Sequence, residues 1–151
     1  MYRIMFVCLG NICRSPMSEF VMRDLAEKAG YGNELYIKSS ATSTWEIGNP
    51  VYPPARKELA LHGIDCRGKK AELLRKDDYD KFDMFICMDS SNVRDAVEIL
   101  GGDSESKVSL LLAHTGSDRD VADPWYTGDF ATTYADVKSG CQAILKELFG
   151  D

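Results

Sequence analysis

The segment CLGNICRS at residues 8–15 is the feature that most constrains how this chain folds. It follows a short apolar run, RIMFVC at residues 3–8, which is typical of a buried strand. It is followed at once by Pro16, a residue favoured in the first turn of a helix, and Ser15 is a residue type that caps helices. The segment therefore predicts a tight connection between a first strand and a first helix.

Strands and helices alternate along the rest of the chain. Strands are predicted at 34–41, 82–88 and 107–113, and helices from Ser15 or Pro16 to Gly30, near 54–62, from Asp89 or Ser90 to Leu100, and from 130 to 148, with a long loop at 114–129. This alternation favours a parallel sheet built from right-handed crossovers. We predict one domain over residues 1–151: an open four-stranded parallel sheet with helices on both faces (three layers, α/β/α) and a phosphate loop at the end of strand 1.

Composition excludes several classes of protein. The net charge of -6 argues against nucleic-acid binding, and no apolar run approaches the ~20 residues of a membrane span. We interpret the opening MYRIMFVCLG as a first strand, not as a signal peptide. The five cysteines include no C-x-x-C pair and only two histidines accompany them, so we expect a cytoplasmic protein without a metal, although export without a signal stays open.

The turn at 8–15 has the composition of an anion-binding cradle. Gly10 and Asn11 tolerate the tight backbone geometry, the helix N-terminus presents free N–H groups, and Arg14 can grip two oxygens of a tetrahedral anion. Helix N-termini and nearby cations lower the pKa of a cysteine to about 3.5–7.5, so we expect Cys8 to be an anionic nucleophile. Ser15 is placed to donate a hydrogen bond to its sulfur.

The segment ADPWY at 122–126 offers a general acid, which phosphate-ester cleavage needs for its leaving oxygen. We predict Asp123 in this role, with Pro124 fixing the backbone and Trp125 and Tyr126 walling the pocket. Spacing alone leaves three alternatives open, namely Asp118, Asp120 and Asp129.

VCLGNICRSP and DPWY, together with SSATSTWEIGNP and FDMFICMDSSN, resemble the low molecular weight protein tyrosine phosphatases over essentially the whole chain. The resemblance implies hydrolysis of phosphotyrosine without a cofactor, through a phosphocysteine intermediate. It implies that Cys8 is the nucleophile, that Arg14 holds the phosphoryl oxygens and that Asp123 is the acid and then the base. The remaining substrate- or phosphate-binding residues that we predict are Leu9, Gly10, Asn11, Ile12, Cys13, Ser15, Trp45, Trp125 and Tyr126.

The resemblance also implies partners and regulation. The expected partners are a tyrosine-phosphorylated protein and inorganic phosphate, as product or inhibitor, and we expect a monomer that binds neither nucleic acid nor membrane. Cys13 matches a cysteine that forms a reversible disulfide with the nucleophile, which suits a redox-sensitive thiolate. The other three cysteines are expected to pack as small apolar groups: Cys66, Cys87 and Cys141.

One departure and three rivals qualify the resemblance. Gly68 stands where many members have a histidine, so a hydrogen-bond network through that position is in doubt. An arsenate reductase of this fold needs a cysteine relay, but Cys87 has no close partner in the sequence. A phosphoarginine phosphatase resembles a loop with threonine at position 12, where this chain has Ile12. A non-catalytic phosphate-binding module is disfavoured because Cys8 and Asp123 are both present.

Overall fold

A computed structural model describes residues 1–150, and at its centre lies a sheet of four parallel strands in the order β2-β1-β3-β4. The strands are β1 (Tyr2–Cys8), β2 (Leu35–Ala41), β3 (Met84–Cys87) and β4 (Val108–Leu110). In this register Cys8 pairs with Ala41, and Val7 pairs with Cys87. The predicted fold class is confirmed, and residues 8–15 leave the carboxyl end of a central strand.

Helices pack on both faces of this sheet. They are α1 (Arg14–Lys28), α2 (Pro53–Leu61), α3 (Ser90–Leu100), α4 (Pro124–Thr127) and α5 (Phe130–Phe149), with short 3-10 helices at Gly32–Glu34, Lys76–Asp80 and Leu111–Thr115. Helices α1 and α5 pack against each other on one face, and α3 lies on the other face over β1, β3 and β4. Within residues 1–150, no helix combines the length and apolarity that crossing a membrane requires.

The sheet separates the two large clusters of the core, and a small third cluster contains Ile12, Cys13 and Ala71. Because side chains alternate along a strand, Ile4 and Phe6 of β1 enter the cluster beneath α1 and α5. Met5 and Val7 enter the cluster on the α3 side. Both faces of β1 are buried, and full burial of a side chain such as Phe6 contributes about 1.5–3 kcal/mol. The first strand and its following turn are therefore anchored on both sides.

The fourth strand is shorter than the sequence predicted. It ends at Leu110, and Leu111–Thr115 turn into a 3-10 helix that is closed by Gly116 in the left-handed region, with φ 88°. Leu111 and Leu112 are still buried. An apolar run such as LLLA can be buried equally well in a strand or in a helical turn. The sequence pattern therefore could not distinguish the end of β4 from the 3-10 helix that follows it.

Two smaller predictions are also corrected. Ser15 does not cap α1: the helix begins at Arg14 with Cys13 as its N-cap residue, and the Ser15 hydroxyl contacts Cys8 instead. The predicted loop at 114–129 contains the short helix α4, whose N-terminus is capped by the Asp123 carboxylate. Both differences arise from hydrogen bonds of polar side chains: the Ser15 hydroxyl contacts Cys8, and the Asp123 carboxylate accepts from the Trp125 nitrogen.

Candidate active site

A cavity of about 170 Å³ opens at the carboxyl end of β1, where the first turn and the DPWY segment meet. Its lining residues come from the two ends of the chain and from the loop after β2: Cys8, Leu9, Gly10, Ile12, Cys13, Arg14, Trp45, Glu46, Asp123, Trp125 and Tyr126. All of them except Glu46 are among the predicted site residues. The other two predicted residues, Asn11 and Ser15, hydrogen-bond to the sulfur of Cys8 beneath the cavity.

The sulfur of Cys8 lies in a nest of donors. Its Sγ atom is 3.3 Å from the backbone nitrogen of Asn11, which donates to it, and 2.9 Å from the hydroxyl oxygen of Ser15. Helix α1 begins at Arg14, so the positive end of a 15-residue helix dipole lies at the same turn. These surroundings favour a negative charge on the sulfur, and they favour a bound oxyanion for the same reason.

Asn11 holds this turn in shape. Its backbone has φ 58°, a left-handed conformation that asparagine tolerates better than most side chains. Its Nδ2 donates to Ser15 Oγ at 2.7 Å and to Ser39 Oγ at 3.0 Å, and its Oδ1 accepts from the Glu72 nitrogen at 3.0 Å. Ser15 Oγ accepts from Asn11 and can donate its own hydrogen to the sulfur when the sulfur is a thiolate, which has no proton to donate.

A buried ionic group supports Asn11 from below, and the sequence analysis missed it. Ser39 donates to Glu19 Oε1 at 2.5 Å, and the Glu19 side chain is almost wholly buried. Glu19 pairs with Arg23 at 2.6 Å and with Lys69 at 3.3 Å. Lys69 also donates to the Ser39 carbonyl at 2.9 Å. A buried carboxylate with two cations and a hydroxyl is compensated, so it can fix the loop above it.

Gly68 lies next to this group but is not part of it. It has φ 91°, and a Cβ added there would meet no atom within 4 Å. Position 68 therefore contributes no side chain to a hydrogen-bond network, and the cation of the buried group comes from the adjacent Lys69.

Arg14 is fixed on one side and open on the other. Its Nη1 donates to Asp89 Oδ2 at 2.7 Å and to the Val121 carbonyl at 3.0 Å. Burial alone would lower the pKa of Arg14, but the negative charge of Cys8 and the hydrogen bond to Asp89 outweigh burial and raise it. The guanidinium is therefore a permanent cation. Its Nε and Nη2 groups make no hydrogen bond within residues 1–150, although Nη2 lies 3.5 Å from Asp123 Oδ2, so they can bind an anion in the cavity.

Asp89 is a second residue that sequence reasoning did not place in the site. Its carboxylate caps α3 through the Asn92 nitrogen at 2.9 Å while it binds Arg14. Burial acts to raise the pKa of Asp89, but the hydrogen bonds from Arg14, Asn92 and Ser91 outweigh burial and lower it. The sequence signal was limited to a helix cap, because an N-cap aspartate looks the same whether or not it also binds a distant arginine.

Of the four aspartates considered as the acid, only Asp123 lines the cavity. Its Oδ2 lies 3.5 Å from Arg14 Nη2, and its Oδ1 accepts from the Trp125 nitrogen at 3.0 Å. Asp129 instead caps α5, and its hydrogen bonds with Thr132 lower its pKa. Asp120 accepts from Ser90, and Asp118 is exposed outside the cavity.

Aromatic side chains flank the mouth of the cavity. Trp45 is 75% exposed, which excludes a place in the core, and Trp125 and Tyr126 are also exposed. The ring of Trp125 lies 4.7 Å from that of Tyr52, so it is supported on one side. Exposed aromatic rings around a cavity are suited to hold a flat ring by its faces. Glu46, which the sequence did not single out, adds a carboxylate to this rim.

The cysteines fall into two groups. Cys13 lines the cavity, and burial together with the negative charge of Cys8 raises its pKa to about 12. Cys66, Cys87 and Cys141 are buried in the two core clusters, as predicted, and burial raises the pKa of each. All five are free thiols, and residues 1–150 contain no cluster of three or more side chains suited to a metal.

Comparisons with known proteins identify relatives over the whole chain. The model of the family "Low molecular weight phosphotyrosine protein phosphatase" matches residues 3–151. The low molecular weight protein-tyrosine-phosphatase YfkJ of Bacillus subtilis is 38% identical over 150 residues, covering 98% of this chain and 96% of the relative. Its crystal structure superposes with a TM-score of 0.94, over 98% of this chain and 94% of that one.

Two further relatives agree with this match. The low molecular weight phosphotyrosine protein phosphatase of Gallus gallus is 39% identical over 149 residues, with 95% of this chain and 94% of the relative covered. The crystal structure of a low molecular weight protein tyrosine phosphatase from Streptococcus pyogenes has a TM-score of 0.88 at 40% identity, covering 99% of this chain and 94% of that one.

Proposed function

The chain belongs to the low molecular weight phosphotyrosine protein phosphatases, cysteine-dependent hydrolases, and we propose that Cys8, Arg14 and Asp123 carry its reaction. The observation that carries this proposal is their meeting in one cavity. The sulfur of Cys8 has donors on two sides, and Arg14 lies 3.5 Å from the Asp123 carboxylate. Phosphoryl transfer needs a nucleophile, a cation that binds the phosphoryl oxygens and a general acid at one site.

In the first step, the phosphoryl oxygens lie between the Nε and Nη2 groups of Arg14 and the backbone of the turn. The sulfur of Cys8 attacks phosphorus, so that an S–P bond forms as the P–O bond to the aryl group breaks. Asp123 gives its proton to the leaving oxygen, and a positioned acid of this kind contributes about 10²–10⁴-fold to the rate. The dephosphorylated tyrosine then leaves.

In the second step, water attacks the phosphocysteine. The Asp123 carboxylate takes a proton from the water, an O–P bond forms, and the S–P bond breaks with the electron pair returning to sulfur. The Ser15 hydroxyl at 2.9 Å and the Asn11 N–H at 3.3 Å stabilise the thiolate as it leaves. Inorganic phosphate is released, and it competes with substrate for the same cradle.

The walls of the cavity favour an aryl phosphate over the rival substrates. Trp45 and Trp125 flank the mouth, and Ile12 offers an apolar side chain in place of the hydroxyl expected for phosphoarginine. Arsenate reduction would need a relay cysteine, and Cys87 is fully buried in the cluster beneath α3. A tyrosine-phosphorylated protein is therefore the proposed partner, met by a monomer in the cytoplasm.

Cys13 extends the proposal to oxidation. If peroxide converts Cys8 to a sulfenic acid, the Cys13 thiol displaces water from it, and a disulfide forms between the two. Both sulfurs line one cavity. This step protects the nucleophile from further oxidation, and a thiol reductant restores it.

The test is hydrolysis of aryl phosphates by purified variants in the presence of a chelator. Wild-type activity should survive the chelator, Cys8→Ser should abolish it, and Arg14→Ala should be nearly as damaging. Asp123→Ala should lower kcat/KM by ~10²-fold or more for substrates with poor leaving groups and leave kcat/KM nearly unchanged for those with good ones. It should lower kcat for both, because the attack of water on the phosphocysteine also uses Asp123. Asp118→Ala, in an exposed acid of the same loop, is the matched control. If Asp123→Ala lowers kcat/KM equally for all leaving groups, another residue is the acid.

A further inference from the structure

A second concave surface lies on the sheet face opposite α1. Leu35 and Ile37 of β2 point into the core beneath α1, so the alternate residues Tyr36, Lys38 and Ser40 face the other way. Helix α3 covers β1, β3 and β4 on that face. The β2 side is instead the floor of a groove of about 880 Å³, which we call the basic groove. It lies apart from the catalytic cavity, with which it shares no lining residue.

The charge of this groove is opposite to that of the whole chain. Its lining includes four cationic side chains against two carboxylates, in a protein of net charge -6: Arg3, Lys38, Arg75 and Lys81 against Glu72 and Asp78. Two of these cations are already paired: Lys38 with Glu72 and Lys81 with Asp77, each at 3.2 Å. Within residues 1–150, Arg3 and Arg75 have no salt-bridge partner, so two guanidinium groups are available to an anionic ligand.

The floor of the basic groove adds a polar and an apolar element. Ser40 is 1% exposed, and its hydroxyl makes no hydrogen bond in the described chain. The groove floor therefore contains a hydroxyl group whose hydrogen-bonding capacity is unused. Tyr36 is half-exposed and stacks on Phe82, with ring centroids 5.9 Å apart. Such a floor accepts a ligand that combines carboxylates with backbone or apolar groups, as a peptide does.

One loop separates the basic groove from the catalytic cavity. Trp45 and Glu46 line the cavity, and their neighbours Thr44 and Ile47 line the groove. The loop is thus the shared rim of both. A chain whose phosphotyrosine occupies the cavity can pass over this rim and continue along β1 and β2.

We propose that the basic groove binds an acidic segment of the phosphorylated substrate protein while the phosphotyrosine occupies the cavity. This inference rests on the proposed function and names the substrate class. The groove floor runs along β2 from Tyr36 to Ser40, with Arg3 and Met5 of β1 beside it. The four steps from Tyr36 to Ser40, at about 3.3 Å each, give ~13 Å, which is the rise of about four extended residues of the bound segment.

The experiment compares phosphotyrosyl peptides with a four-residue segment on either side of the phosphotyrosine, composed of Glu and Asp in one set and of Gln and Asn in the other. We expect kcat/KM for the acidic set to exceed that for the neutral set by about three- to tenfold at low salt and to converge with it at high salt. Arg3→Glu and Arg75→Glu should each remove most of this preference. Neither should change hydrolysis of p-nitrophenyl phosphate, which is too small to reach the groove.

Arg94→Glu is the matched control, because it makes the same charge change at an exposed position of α3 that does not line the groove. Equal kcat/KM for acidic and neutral peptides, or an equal loss in the Arg94 variant, would overturn the inference. So would a concentration-dependent dimer, in sedimentation velocity, that the groove variants dissolve, because the occupant would then be a second copy.

A binding measurement separates failure of this inference from failure of the proposed function. In Cys8→Ser, the Kd of each peptide is measured without turnover, and the acidic peptide should again bind about three- to tenfold more tightly. If wild type hydrolyses every peptide equally well, the phosphatase function stands and the groove proposal is lost. If wild type hydrolyses nothing, the Kd difference still decides whether the groove binds acidic chains.

Discussion

Replacing Asp89 with asparagine tests how Arg14 is held in the site. Asp89 does two things: its Oδ2 binds Arg14 Nη1 at 2.7 Å, and its Oδ1 caps α3. Asparagine is as good an N-cap as aspartate, so Asp89→Asn keeps the helix start. It removes the negative charge beside a guanidinium that is almost wholly buried, and this is the only large change expected.

The magnitude follows from the type of bond. A hydrogen bond between ionised groups contributes about 1.5–3 kcal/mol when it is partly buried, as this pair is. If Arg14 makes its full interaction only in the transition state, the same free energy appears in kcat/KM. Since ~1.4 kcal/mol is a factor of ten, Asp89→Asn should lower kcat/KM by about 10- to 100-fold. Binding of inorganic phosphate should weaken in parallel.

The assay is steady-state hydrolysis of an aryl phosphate, with phosphate inhibition and urea unfolding measured on the same preparations. Asp129→Asn is the control, because Asp129 caps α5 through Thr132 and has no contact with the cavity. Its kcat/KM should stay within about twofold of wild type, since an asparagine replaces one N-cap with another. Equal losses of activity in the two variants would refute the view that Asp89 acts on Arg14.

The same pair also gives a pH dependence. The pKa of Asp89 is lower in the folded chain than its ordinary value of 3.8. A carboxyl group with a lowered pKa stabilises the fold above that ordinary value, and the contribution is lost as pH falls through the folded pKa. Wild type should therefore be more stable than Asp89→Asn at neutral pH, and the difference in unfolding free energy should shrink below pH 3.8. A difference that grows in acid would contradict this sign.

Three further predictions concern the scaffold. Gly140→Ala should destabilise the fold by about 1–3 kcal/mol in urea unfolding, because a Cβ there would come within 2.5 Å of Leu111 side-chain atoms. An unchanged free energy of unfolding would contradict the tight packing of α5 against Leu111. Glu19→Gln should lower the free energy of unfolding by about 3–5 kcal/mol and lower kcat, since it leaves Lys69 buried without its charge partner. An unchanged free energy of unfolding would contradict the supporting role of Glu19. Iodoacetamide at pH 7 should leave Cys13 unmodified in peptide mass mapping, because its pKa is about 12, and rapid labelling there would be inconsistent with its burial.

The parts of the site that sequence reasoning found are those in which neighbouring residues carry the signal. Cys8 and Arg14 lie on one turn between a strand and a helix, so the local pattern already implies an anion cradle. Asp123 was one of four candidates in its loop until the resemblance selected it, and it alone of the four lines the cavity. Trp125 and Tyr126 followed from their position beside Asp123, whereas Trp45, in the loop after β2, followed from the resemblance alone.

The parts that were missed depend on contacts between distant segments. Glu19 and Lys69 are 50 positions apart, and each is of a residue type usually found on the surface, so nothing local indicates that they meet beneath Asn11. Asp89 was visible only as a helix cap. The basic groove follows from which part of a sheet face α3 covers, and that is decided by the packing of whole elements.

Isolating the covalent intermediate tests the role of Cys8 as nucleophile. Wild type is mixed with an aryl phosphate, denatured within the first turnovers, and digested for mass spectrometry. We expect one phosphoryl group on the sulfur of Cys8, present in a greater fraction of chains when Asp123→Ala slows the attack of water. A phosphoryl group on another residue, or none on any residue during active turnover, would contradict it.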